Sequence, residues 1–305
     1  LVHWPLAFPQ IFAREEASGF DLLLGNPPWE RIRLEEREWF ATRAPAIAAL
    51  PTAAQRKARI AALAQEDPEL FAELQAARRQ AAAEARFVHR AGAYPLCGRG
   101  DLNRYALFAE LGLRLVQPHG RVGLILPSGI ATDETTRLFF RHVVTQGLLH
   151  HLYDFENRQR LFPSVDERFK FTLLTLAGPG EPARQGATVV CFATTPEELA
   201  EPARRMRVTP GDLELFNPNT RTCPLFRTAR DESLCRGLYS RLPVLWRKGA
   251  GEENPWEVRL SSGLHMAGDS ARFRSRAQLE EAGAVLQGNC FVLGEQRFLP
   301  LYEAK

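Results

Sequence analysis

Asn26-Pro27-Pro28-Trp29 is the stretch of this 305-residue chain whose residue types could do chemistry together. An exocyclic amine on an aromatic ring is a poor nucleophile, because its lone pair is delocalised into the ring. Two acceptors that take its two N–H groups would hold it and favour tetrahedral character at nitrogen. The Asn26 side-chain carbonyl can be one acceptor. The Pro27 main-chain carbonyl can be the other, since Pro27 and Pro28 fix the backbone and keep that oxygen out of any helix or ladder. Trp29 offers a broad face on which a flipped base can stack. Such chemistry requires neither a metal nor a covalent intermediate. Taken alone, the tetrapeptide is equally an ordinary turn with Trp29 in the core. Its place directly after the apolar run Phe20-Asp21-Leu22-Leu23-Leu24 favours the functional reading.

That run reads as a buried parallel strand, stopped by prolines that cannot donate to a ladder. In open α/β sheets ligands sit at the carboxyl ends of such strands. From about residue 35 to 100 the sequence turns to Ala, Arg, Glu and Gln with breaks near Pro45, Pro51 and Pro68, which predicts a helical insertion. Helical spacing covers Asn103 to Val116. Arg121 to Leu126 reads as a second buried strand, and Asp133 to Thr145 as a helix capped by Thr132 or Asp133. Leu149–Phe155 and Phe169–Leu176 read as strands joined by a loop containing Leu161-Phe162-Pro163, an antiparallel hairpin at the sheet edge. Ala187–Phe192 is a further strand, followed by a helix near Glu197 to Met206. The expected class is α/β, a doubly wound and mostly parallel sheet. Beyond Gly211 the pattern loosens, with one short helix near Asp231 to Arg241.

Composition bounds the answer. The 45% hydrophobic and 25% charged fractions are those of a soluble globular chain, and no run approaches the 18 or so apolar residues of a membrane span. The net charge of +3 permits a nucleic-acid partner without demanding one. Arg greatly outnumbers Lys, which suits phosphate contacts but also follows from a GC-rich genome. Cys97, Cys191, Cys223, Cys235 and Cys290 are scattered without a C-x-x-C pair, which speaks against zinc or a disulfide framework and for reduced, cytoplasmic thiols.

The segment FDLLLGNPPWERI resembles motif IV of the amino-methyltransferases, and more closely the adenine-specific enzymes of bacterial restriction-modification and phage-defence systems (Eco57I-like). The resemblance continues through GRGDLNRYALFAELGLRLVQPHGRVGLILPSGIATDETTRLFF, YDFENRQRLFPSVDERFKFTLLTL and NPNTRTCPLFR, and so covers most of the chain. It implies transfer of a methyl group from S-adenosylmethionine to N6 of a flipped adenine in double-stranded DNA. Asn26 and Pro27 would accept from the N6 amine, Pro28 would fix the backbone, and Trp29 would stack on the base. Phe162 would pack the base from elsewhere in the pocket, whereas Phe169 and Phe171 are expected in the core. Asp21, Asp101, Asn103 and Tyr105 would shape the pocket wall.

The cofactor part of that resemblance is missing. Gly98-Arg99-Gly100 has no strand before it, and Gly249-Ala250-Gly251 precedes no helix, so neither is the Gly-rich turn that S-adenosylmethionine requires. In the relatives that half precedes the Asn-Pro-Pro-Trp strand. The expectation is therefore a fragment: residues 1–205 as the C-terminal half of a Rossmann-like methyltransferase domain, and residues 206–305 as the start of a target-recognition region. An N-terminal half, or other defence-system subunits, would complete it. Cytosine-N4 or protein-glutamine methylation are alternatives within the class. A non-catalytic DNA-binding or scaffold subunit is the alternative outside it.

Overall fold

The computed structural model describes residues 2–14, 18–249, 251–261, 263–265 and 268–301. The chain divides into two compact units, Leu1–Glu253 and Asn254–Lys305.

The first unit begins with two short helices, α1 (Trp4–Ala7) and α2 (Pro9–Phe12), each started by a proline in its first turn. Their Trp4, Phe8 and Phe12 rings surround Phe20 at 6.1, 5.5 and 5.3 Å. Phe20 opens strand β1 (Phe20–Gly25). Four helices follow, α3 (Glu36–Arg43), α4 (Pro45–Ala48), α5 (Ala53–Glu66) and α6 (Pro68–Arg90), with breaks where Pro45, Pro51 and Pro68 predict them. They enclose a small core of their own, Phe40, Ile47, Ile60, Leu63 and Leu74. Helix α7 (Arg104–Leu115) leads into β2 (Val116–Pro127). Next come α8 (Gly129–Thr132), a single 3₁₀ turn and α9 (Arg137–Thr145). Strands β3 (Leu149–Glu156), β4 (Lys170–Ala177), β5 (Ala187–Ala193) and β6 (Met206–Val208) complete the sheet. Helices α10 (Pro210–Phe216) and α11 (Ala229–Tyr239) follow. The second unit holds α12 (Arg276–Glu281) and an antiparallel meander of β7 (Val285–Gln287), β8 (Cys290–Leu293) and β9 (Gln296–Phe298).

The class is α/β with a six-stranded sheet in the order β1-β2-β4-β3-β5-β6. Strands β1, β2, β3 and β5 point one way, and β4 and β6 run against them. Because side chains alternate across a strand, the register divides the sheet into two faces. One face carries Leu23, Val122, Leu126, Leu174, Leu152 and Val189, which pack with Ala106, Ile130, Phe139 and Phe140 of the helices into the main core. On the other face Phe155, Phe171, Val190 and Ala193 form a smaller cluster near the strand ends.

Several expectations are corrected. Strand β1 is parallel to β2 but not buried, since Leu22 and Leu24 are 55% and 73% exposed. It is the sheet's edge, with one flank unpaired among the described residues and with Leu22 and Leu24 uncovered beyond the rings that pack on Phe20. The β3–β4 hairpin is not at an edge, because β4 inserts between β2 and β3 and the sheet continues outward through β5 and β6. Residues 197–206 are not a helix. Pro196 and Pro202 limit them to two 3₁₀ turns before β6. Asp133 caps no helix with its side chain, and the expected 133–145 helix is a 3₁₀ turn followed by α9. Past residue 205, Met206 and Val208 pair with β5 and Leu213 joins the main core, all within the first compact unit. Among the described residues no helix is long and apolar enough to cross a membrane.

Gly120 matters to this arrangement. It lies where β2 loops out against β1, between the pairs Phe20↔Val116 and Leu22↔Arg121. A Cβ there would stand 2.7 Å from the Phe20 carbonyl and 2.9 Å from that of Asp21. Gly120→Ala should therefore destabilise the chain by about 1–3 kcal/mol, read as a lower urea midpoint; an unchanged midpoint would show that β1 is held otherwise.

Candidate functional site

Four strands deliver their carboxyl ends to one edge of the sheet. Gly25 of β1 pairs with Leu124 of β2, so Asn26 and Pro27 leave the sheet beside Ile125 to Pro127. Pro127 in turn pairs with Phe171, and Phe171 with Phe155. At this edge Asn26 is exposed, Pro27 is buried, Pro28 is exposed and Trp29 is half-buried. The Trp29 Nε1–H donates to Asn26 Oδ1 at 3.0 Å. That bond orients the amide and engages one of the two lone pairs of Oδ1, leaving the second to accept from elsewhere. No protein donor among the described residues bonds the Pro27 carbonyl.

The chain after Trp29 is tied down by backbone pairing. Ile32 N donates to Leu102 O at 2.9 Å, and Arg104 N donates to Glu30 O at 3.0 Å. Arg31 bridges to Asp101 at 2.7 Å. Asp101 and Asn103 thus lie alongside the Asn-Pro-Pro-Trp loop, with Asn103 Nδ2 donating to Asp101 O at 3.4 Å. Tyr105 follows on the first turn of α7 and is buried. Burial and then the charge of Asp133 push its pKa to about 12, so the hydroxyl stays protonated and can hydrogen-bond but not act as a base. Asp21 stands apart: it occupies the amino end of β1, about 16 Å along the strand from Asn26, where Gln117 Nε2 donates to it at 3.2 Å.

Trp29 and Phe162 converge on one cluster. Both pack against the cluster of Phe155, Phe171, Val190 and Ala193, Trp29 touching the main core as well, and the Phe162 ring meets Phe171 edge-on with centroids 4.8 Å apart. Phe171 is buried as expected, but Phe169 is 57% exposed because β4 begins only at Lys170.

Two polar devices at this edge escape a reading of the sequence. Asn157, fully buried directly after β3, clamps the loop that carries Phe162. Its Oδ1 accepts from Phe162 N at 3.0 Å, and its Nδ2 donates to the carbonyls of Phe162 at 3.0 Å and Val165 at 2.9 Å. Asp154 of β3 accepts from the Ser128 hydroxyl and, at 3.3 Å, from Phe192 N. Burial holds its carboxyl above the usual range despite those two bonds. An Asn after a strand signals a turn, but nothing local tells which carbonyls return to it.

Among the described residues no glycine turn has the form that holds S-adenosylmethionine. At Gly98 a Cβ would stand 2.4 Å from Tyr94 O, so that glycine serves packing within a loop. Gly129 follows a strand, yet the space beside it is filled by Asp133 and the Tyr105 hydroxyl. Gly249 and Gly251 lie in a turn and precede no helix. No three His, Cys, Asp or Glu side chains gather as a metal site among the described residues.

No protein-family profile matches the chain, and no curated protein sequence matches it. Some solved structures are similar to parts of the chain at low scores. The type IIG restriction endonuclease BpuSI is 22% identical over 39% of this chain and 14% of its own, with a TM-score of 0.30. A class I S-adenosylmethionine-dependent methyltransferase from Listeria monocytogenes is 18% identical over 38% of this chain and 34% of its own, at 0.27. The DrdV–DNA complex is 13% identical over 59% of this chain and 15% of its own, at 0.28. The chain thus spans about a third or less of each of these proteins. At such scores the likenesses carry no argument about activity.

Asn157→Ala should cost about 1–3 kcal/mol, the penalty for stranding buried backbone groups, and should speed amide exchange at Phe162. Unchanged exchange would mean that the loop is held without the clamp.

Proposed function

We propose that this chain carries the amine-holding half of a DNA adenine-N6 methyltransferase site, in a restriction-modification or phage-defence setting. The observation that carries the reading is the Trp29–Asn26 hydrogen bond at the carboxyl edge of the sheet, beside a Pro27 carbonyl that no protein donor among the described residues bonds. With Trp29 fixing the amide, Asn26 Oδ1 accepts one N6 hydrogen through its free lone pair, and the Pro27 oxygen accepts the other. Withdrawing both hydrogens toward acceptors localises the nitrogen lone pair, which raises the amine's nucleophilicity. Trp29 and Phe162 offer the aromatic surfaces for a flipped adenine, with Asp101, Asn103 and Tyr105 behind them as the wall.

The methyl donor, S-adenosylmethionine in this reading, is held by an element outside the described residues. The free edge of β1 and its exposed Leu22 and Leu24 are where such an element would pack, since a largely parallel sheet needs both faces covered. Double-stranded DNA is the substrate, and the small unit from Asn254 onward is our candidate for the start of a target-recognition region. The second reading, a non-catalytic DNA-binding or scaffold subunit, is favoured by one observation: no glycine turn among the described residues fits the cofactor.

Nucleoside mass spectrometry of DNA from cells carrying the gene separates these readings. N6-methyladenine is expected, reduced about 10²-fold or more by Asn26→Ala, as when one preorganised polar partner of a transition state is removed. Trp29→Phe keeps a ring but loses the hydrogen bond, so a reduction of about 3–10-fold is expected. N4-methylcytosine, or a level of N6-methyladenine indifferent to Asn26, would refute the assignment.

A further inference from the structure

The segment Asn217 to Thr222 plays no part in holding the amine, yet it is built with care. Asn217 O accepts from Arg221 N at 2.7 Å, and Asn217 Nδ2 donates to Thr222 O at 3.1 Å, which closes a tight turn. Asn219 anchors the turn at both ends of its amide, donating to Trp246 O at 2.8 Å and accepting from Lys248 N at 2.8 Å. The hydroxyls of Thr220 and Thr222 bond one another at 2.9 Å. Cys223 N donates to Ala131 O at 2.8 Å and pins the turn to α8. Every polar side chain here except Arg221 is thus spent on the turn itself. Arg221 sits with φ +55°, a left-handed backbone that a branched or long side chain rarely adopts. A residue held there against its preference, by surroundings that over-determine it, points to a use for its side chain.

That side chain lines a cleft of about 220 Å³ between the turn and α9, together with Arg137 and Arg141. Arg137 and Arg141 are one helical turn apart and so lie on one face. Arg141 also lines the adjoining cleft with Arg99 and His142. Against these cations stand two carboxylates: Glu134 pairs with Arg137 at 2.8 Å and Glu214 with Arg221 at 3.0 Å. Both pairs are substantially exposed, and exposed pairs hold weakly. Arg141 makes no ion pair among the described residues. A guanidinium fork matches a phosphate bidentately and forms shorter, stronger bonds to it than neutral donors do.

We propose that the cleft between α9 and the 217–222 turn binds a phosphate of a DNA backbone, with Arg141 and Arg221 as its principal donors and Arg137 beside them. The assignment does not depend on the role given to Asn26, because phosphate contacts position a protein on a duplex without reading its bases.

Binding of a fluorescent 30-base-pair duplex by the full chain, titrated from 50 to 300 mM NaCl, tests this. Each phosphate neutralised adds about 0.9 to the magnitude of the negative slope of log K against log salt. Arg141→Ala should reduce that magnitude, and Arg141→Ala with Arg221→Gly should reduce it by about 0.9, the whole contribution of one phosphate; glycine suits the left-handed backbone. Arg141→Lys should keep the slope, because the charge remains, which shows that the Ala effect is not a folding defect. Arg79→Ala on α6 should leave the slope alone. An unchanged slope in the double variant would overturn the proposal even if Asn26 proves essential to methylation. So would the absence of duplex binding at 50 mM NaCl. Inorganic phosphate separates the sources: a thermal stabilisation by phosphate over chloride at equal ionic strength, abolished in the double variant while the DNA slope stays fixed, would make this a free-phosphate site and overturn the DNA assignment.

Discussion

The parallel pairing of β1 with β2 is the constraint on which the candidate site depends. It places the end of the Phe20–Gly25 run level with Leu124, so that the Asn-Pro-Pro-Trp loop leaves the sheet where β2, β3 and β5 also end. A slip of one residue would turn Leu23 away from the core and Leu22 and Leu24 toward it, and would carry Asn26 out of line with Ile125. The register is secured at both ends. Phe20 is gripped by the rings of Trp4, Phe8 and Phe12. Beyond Trp29, the backbone of residues 30 to 32 is bonded to residues 102 to 104.

Within that frame the site is assembled from short polar links rather than from one deep pocket. Trp29 is at once the donor that orients Asn26 and a half-buried residue packed against both the main core and the cluster of Phe155, Phe171, Val190 and Ala193. The same cluster receives Phe162, whose loop is shaped by Asn157. The two aromatic surfaces therefore share one floor. Asp154 braces the neighbouring strand end by accepting from Ser128, so the Pro127-Ser128-Gly129 turn is fixed from below. The uncovered corner at Leu22 and Leu24 contrasts with this rigidity.

Much of this was legible in the sequence, for identifiable reasons. Buried strands such as Arg121–Leu126 and Ala187–Phe192 announce themselves as short apolar runs, and the proline breaks at 45, 51 and 68 set the boundaries of the helical insertion. The Asn26-to-Trp29 loop was visible because prolines end a strand in a way that leaves carbonyls free. Strand order was not legible, since insertion of β4 between β2 and β3 depends on long-range pairing that no local pattern encodes. Residues 197–206 misled because Glu and Ala favour a helix while Pro196 and Pro202 forbid a long one. Leu22 and Leu24 read as interior because an apolar run looks the same whether or not a neighbour covers it. Asp21 belongs to the same resembling segment as Asn26, but an extended strand carries it to the far end of β1. Asn157 and Asp154 act through partners 5 to 38 residues away, beyond what spacing reveals.

The central claim is that Asn26 and the Pro27 carbonyl together take two N–H hydrogens from an adenine seated against Trp29. Tryptophan fluorescence tests it directly, with the Trp29→Phe chain subtracted to isolate Trp29 from the other four tryptophans. The ligand is a single-stranded oligonucleotide carrying one adenine among abasic positions, compared with the same strand carrying N6,N6-dimethyladenine. The dimethyl base keeps its stacking face but has no N–H to donate. Quenching of Trp29 by adenine, with affinity reduced at least tenfold for the dimethyl base, is the predicted result. Equal affinity for the two bases would mean that the loop holds a ring but not an amine, and the account of its chemistry would fail.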